Sequence, residues 1–144
     1  MTLKELIAMT RLYARDSNDQ MFKNIIITAF LNQAIDRIAQ YKVFEGMAKF
    51  VNEGDVTTLL PLQYHYMLAL FAASRCYDMD ERFYEGTEKR NEFEQLLETL
   101  IGEIQAGNIT VTDGLGNAVE DGTNVTDYVR DVYFKKGDED ATIL

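Results

Sequence analysis

Residues 59–105, LLPLQYHYMLALFAASRCYDMDERFYEGTEKRNEFEQLLETLIGEIQ, decide how this chain is read. Pro61 is the only proline. Its locked φ and missing N–H suit the first turn of a helix, and its ring forces Leu60 into an extended conformation. From Pro61 to about Tyr77 the apolar residues Leu62, Tyr64, Met67, Leu68, Leu70, Phe71, Ala72, Ala73 and Cys76 leave only a thin polar stripe. A helix that is apolar around most of its circumference belongs at the centre of a bundle. Beyond Asp78-Met79-Asp80-Glu81, a second long helix carries Phe83, Phe93, Leu96, Leu97, Leu100, Ile101 and Ile104 on one face and charges on the other. The connection is a few residues long, so the two helices are expected to pack antiparallel. Asp78, Asp80 and Glu81 read as carboxylates that cap the amides at the second helix's start.

Toward the N-terminus, Leu3, Leu6, Ile7, Thr10, Tyr13 and Ala14 recur at helical spacing, and the polar cluster Asp16-Ser17-Asn18-Asp19 stops that helix and caps the next. From about Gln20 to Tyr41, Phe22, Ile25, Ile26, Ala29, Phe30, Ile38 and Ala39 mark a further apolar face. The β-branched run Ile26-Ile27-Thr28 weakens the local helix preference, but the pattern is too long for a strand. Glu45 to Val51 reads as a short helix closed by Gly54, and Val56 to Leu60 as extended. The expected core comprises Phe22, Ile26, Phe30, Ile38, Leu68, Phe71, Ala72, Phe93, Leu97, Leu100 and Ile104.

At Gly107 the composition changes. Ile109-Thr110-Val111-Thr112 alternates like a strand, Asp113-Gly114 and Gly116-Asn117 are turn signals, and Tyr128 to Phe134 alternates again. The fold class is therefore mainly α: a small antiparallel helical bundle over residues 1–106, with a C-terminal β-hairpin or extended arm and acidic tail over 107–144. Tyr128, Val129, Val132, Tyr133 and Phe134 need a surface to bury against. Either the segment folds back on its own bundle or it docks on a neighbouring subunit by edge pairing.

With 144 residues, 47% of them hydrophobic, the chain suits one compact domain with appendages. Its formal charge of -10 works against binding phosphate backbones, because that affinity rests on Lys and Arg displacing counterions. From Asp113 to Leu144 eight acidic residues face three basic ones, so about half of the net charge sits in that segment. One cysteine precludes an intrachain disulfide. The first residues lack the apolar run of a signal peptide, and no run approaches the ~20 residues that span a bilayer, so a protein made in the cytoplasm is expected.

The residues offer little to catalysis. His65 is the only histidine, which excludes any His-rich metal site, and Leu62 stands where a Glu-x-x-His di-iron motif needs its glutamate. His65 and Cys76 are expected to pack. Asp113-Gly114-Leu115-Gly116-Asn117 has Leu115 at a ligand position of a calcium loop and Ala118 at its required glycine, so it reads as a turn. Gly114 and Gly116 lack the Lys-Ser/Thr of a phosphate-binding loop. The expectation is a protein without enzymatic activity and without a cofactor or metal.

The run Leu59 to Tyr77, followed by Asp80-Glu81 and the charged helix through Tyr84, Phe93 and Leu97, resembles the central helical hairpin of the head-tail connector (adaptor) proteins of tailed bacteriophages. So does Leu31-Asn32-Gln33-Ala34-Ile35-Asp36-Arg37-Ile38. The resemblance covers about residues 2 to 105 and rests on packing patterns; residues 109–144 have no residue-by-residue match. It implies a virion protein at the head-tail interface, in a ring, typically of twelve copies, that docks beneath the portal protein and offers the next tail component a surface. DNA would pass through the ring without specific binding. On that reading Tyr128, Val129, Val132, Tyr133 and Phe134 are candidate contacts with the portal or a neighbouring copy, and Glu88, Glu92, Asp113, Glu120 and Asp121 are candidate channel-facing carboxylates. The alternative is a small cytosolic regulatory or scaffolding protein that binds one protein partner through its bundle.

Overall fold

The computed structural model describes residues 1–15, 22–113 and 118. They form a mainly helical bundle of α1 (Leu3–Ala14), α2 (Asn24–Ile38), α3 (Tyr66–Met79) and α4 (Phe83–Gln105), with 3₁₀ turns at Lys42–Phe44 and Leu62–Tyr64. The expected fold class holds for these residues. They include two isolated antiparallel bridges, Thr2 with Val56 and Thr112 with Ala118. No helix among them is long and apolar enough to cross a membrane.

The centre of the bundle is α3, packed against each of the other three helices. Met67, Leu68, Ala69, Leu70, Ala72, Ala73, Ser74, Cys76 and Tyr77 are all buried, as an all-round apolar helix requires. Pairings along α3 and α4 run in opposite directions: near the turn Asp78 and Ser74 lie against Gly86, and further from it the Phe71 and Phe93 rings meet edge-on at 5.0 Å. The hairpin is thus antiparallel.

The acidic turn between them works differently from the expectation. Asp78 lies in the last turn of α3, and the residue before α4 is Arg82, whose side chain caps nothing. Glu81 adopts a left-handed conformation (φ 59°), its N–H donates to Asp78 O (3.1 Å), and the Arg82 N–H donates to Tyr77 O (2.8 Å). These two bonds satisfy carbonyls at the end of α3, so the turn closes the first helix rather than opening the second. α4 ends the same way: Gly107 (φ 83°) donates to Ile104 O and Asn108 to Glu103 O.

α1 begins with a reciprocal cap, the Glu5 N–H donating to Thr2 Oγ1 (3.2 Å) and the Thr2 N–H to Glu5 Oε1 (2.8 Å). α2 starts at Asn24, later than the sequence suggested, and Lys23 before it offers no side-chain cap. The Asp16 to Asp19 cluster expected to cap it lies outside the described residues. The α2 face is also rotated: Ile27, Phe30, Leu31, Ala34, Ile35 and Ile38 are buried, whereas Ile25 is 78% exposed and Ala29 is exposed.

The predicted helix over Glu45–Val51 does not form. After turn bonds from Glu45 N to Lys42 O and from Met47 N to Phe44 O, other groups satisfy the backbone of the segment, from which Met47 and Phe50 are buried. The Asn32 amide brackets Phe50, accepting from its N–H (2.8 Å) and donating to its carbonyl (3.1 Å), and Thr58 Oγ1 accepts from the Ala48 N–H (3.0 Å). Asp55, not Gly54, organises the following turn, accepting from the amides of Val51 and Asn52.

Of the expected core, Phe22, Phe30, Ile38, Leu68, Ala72, Phe93, Leu97 and Leu100 are buried. Ile26, Phe71 and Ile104 are only partly buried against it, and Phe83 is 61% exposed. Val111 is 3% exposed within the same core, so the packed body continues beyond residue 106.

Candidate functional site

His65 and Cys76 sit where packing residues belong. Cys76 is a buried free thiol. His65 is buried, with Nδ1 2.7 Å from the Met1 ammonium and Nε2 2.8 Å from the Leu60 carbonyl. An ammonium only donates and a carbonyl only accepts, so the ring is neutral, protonated on Nε2 and accepting at Nδ1. Burial is the main cause that holds its pKa below the usual histidine value, and the nearby ammonium adds to it, against the raising effect of the Leu60 hydrogen bond. Among the described residues no group of three or more His, Cys, Asp or Glu side chains could hold a metal ion.

Open grooves flank the bundle instead. The first, of about 560 Å³, runs between α2 and α4 and is lined by Arg37, Tyr41, Glu88, Asn91, Glu92 and Glu98 among others. On its wall Arg37 grips Glu94 with two bonds, Nε to Oε2 at 3.0 Å and Nη2 to Oε1 at 2.7 Å. The guanidinium also lies over the Tyr41 ring, 6.0 Å from its centroid. This bidentate pair consumes the cation of the groove wall, so Glu88, Glu92 and Glu98 leave the rim negative. Lys89 offsets part of that charge, 3.6 Å from Glu92 and 5.5 Å from the centre of the Tyr13 ring.

The second groove, of about 690 Å³, lies between Val56–His65 and Asn108–Asp113. Leu59 holds a left-handed conformation there (φ 64°), and Val56 and Leu62 expose 57% and 72% of their surface. It is the more apolar of the two. Thr2 and Val56 pair across the base of the loop, with Leu3 N donating to Asp55 O (2.8 Å) and Thr57 N to Met1 O (3.1 Å).

The structure therefore separates the candidate carboxylates. Glu88 and Glu92 are exposed on α4 beside the first groove, and Asp113 lines the second. Glu120, Asp121, Tyr128, Val129, Val132, Tyr133 and Phe134 lie outside the described residues. Sequence reading missed Asn32, Arg37 and Gly86 as organising residues. Asn32 carried a signal, being a polar residue within an apolar helix; Arg37 and Gly86 carried none, because their roles depend on other helices. Arg75 is a further case: its guanidinium lies 5.8 Å from the centre of the Phe30 ring, and its buried Nε has no hydrogen-bond partner among the described residues. Comparison of the chain with protein-family models, with curated proteins and with solved structures returns no match.

Proposed function

We propose that this protein is a structural subunit of a phage head-tail connector, forming a ring under the portal that continues the DNA channel toward the tail. The observation that carries the reading is the α3–α4 hairpin. Leu60-Pro61 lead through a 3₁₀ turn into α3, which is buried along most of its length, an acidic turn follows, and a long α4 keeps a charged outer face. The order matches the resemblance read from the sequence. A surplus of carboxylates on the surface also suits a conduit that DNA must traverse without adhering, since like charge repels phosphates at close range.

Partners on this reading are the portal protein, neighbouring copies of the chain and the next tail or head-completion protein, and the site of action is the virion. Electron microscopy of the purified protein mixed with portal rings of its own phage tests it. An added annular layer is expected. A chain that adds no layer and has no affinity for portal rings would overturn the connector reading and favour a small helical regulator with a single protein partner.

A further inference from the structure

Two outward helix faces of this subunit are complementary in charge and in length. On α1, Lys4, Ala8 and Leu12 follow one another at spacings of four residues, Arg15 three residues on is the left-handed cap that closes the helix, and all are exposed, Leu12 to 72%. The stripe is cationic at both ends and apolar in the middle. Among the described residues neither Lys4 nor Arg15 forms an ion pair, although the field of Arg15 reaches Glu85 and helps to lower its pKa after larger hydrogen-bond effects. On α4, Glu88 and Glu98 are exposed on the outward face, with Glu92 and the neutral Gln95 between them. Neither Glu88 nor Glu98 has an ion-pair partner among the described residues.

The distances match. At a rise of about 1.5 Å per residue, Lys4 and Arg15 stand about 16 Å apart along α1, and Glu88 and Glu98 about 15 Å apart along α4. Grooves of about 560 and 450 Å³ run along the α4 face, and each is lined by Glu92, Gln95 and Glu98. They leave room beside the acidic ridge for the side chains of a second helix.

We infer that the occupant of the α4 face is α1 of a second copy of this chain, with Lys4 and Arg15 bridging to Glu88 and Glu98 and Leu12 seated between them. Because the two surfaces differ, the contact is head-to-tail, the kind that closes into a ring when the rotation permits. The inference builds on the connector reading by naming the surfaces that join neighbours. It assigns Glu88 and Glu92 to the subunit contact rather than to the channel wall. Exposed ion pairs are individually weak and screened by salt, so self-association in solution is expected to be salt-sensitive.

The experiment is sedimentation velocity on the full chain at low and high salt, with two charge-reversed variants whose folding is checked by circular dichroism. One is Glu88→Lys with Glu98→Lys, and the other is Lys4→Glu with Arg15→Glu. The wild type is expected to associate at low salt and to weaken about tenfold or more at high salt, each variant alone to be monomeric, and an equal mixture of the two to associate again. A folded variant that self-associates like the wild type, a mixture that stays monomeric, or a wild type that is monomeric even at about millimolar concentration at low salt would each overturn the contact. The portal-docking image separates the two readings. A variant mixture that stays monomeric alongside wild-type protein that still coats portal rings removes the α1–α4 contact alone, whereas loss of portal docking by the wild type removes the connector reading.

Discussion

Gly86 on α4 approaches Ser74 on α3 so closely that a β-carbon on the glycine would stand 3.0 Å from the Ser74 carbonyl oxygen. The same β-carbon would collide with the Asp78 carboxylate, which is held by Arg90. Alanine is ordinarily the better helix former by about 1 kcal/mol. Here crowding against backbone outweighs that preference. Gly86→Ala is expected to destabilise by roughly 1–3 kcal/mol, read as a lower midpoint in urea. A higher midpoint would mean that the two helices are further apart at this crossing.

Glu81 makes the opposite case. It occupies the left-handed position that closes α3, where the corresponding residue of α4 is Gly107. Glu81→Gly relieves the steric cost of a side chain at positive φ and is expected to raise stability by about 1 kcal/mol. A thermal melt of the variant checks this, with an unchanged or lower midpoint counting against the assigned cap.

His65 gives a pH dependence of fixed sign. Its folded pKa is lowered, so the folded state binds fewer protons than the unfolded chain over the window below the ordinary value of about 6.5. Its contribution to stability is present above that value and lost as pH falls toward the folded pKa, where an imidazolium would face the Met1 ammonium. Stability should therefore decline below about pH 6.5, and the decline should be shallower in His65→Gln, which also should preserve virion assembly if folding survives. Parallel stability curves for the two proteins over that range would contradict the neutral-ring assignment.

Removing the Asn32 amide should release the segment around Phe50. Asn32→Ala leaves a backbone donor and acceptor without their partners, at a cost of about 1–3 kcal/mol. Hydrogen exchange at the Phe50 amide should accelerate beyond what global destabilisation explains. Unaltered protection at that amide would sink the clamp.

Deleting Val125 to Leu144 tests the C-terminal arm. The cut falls outside the described residues, and the core reaches Val111 without it. Helix content and melting temperature should stay nearly intact, while attachment to portal rings is lost because the Tyr128 to Phe134 side chains are gone. Unfolding or aggregation of the truncated chain would mean that those residues cover the bundle of their own subunit.

Periodicity alone determined that this is a helical bundle with α3 at its centre, because a stretch apolar on nearly every side has no stable place on a surface. The bounds of α1 and the buried positions Phe93, Leu97 and Leu100 of α4 followed from the same 3.6-residue repeat. What only the tertiary structure decided depends on groups far apart in sequence. Asn32 satisfies Phe50 across 18 residues and so replaces a helix with an irregular segment. Glu94 reaches Arg37 across 57 residues and leaves Glu88 and Glu98 beside a groove without an ion-pair partner among the described residues. The acidic turn carried the composition of a helix start, yet its backbone bonds close the helix before it. Side-chain composition is local, whereas the partner that satisfies a backbone group or a charge is chosen by the packing of the whole fold.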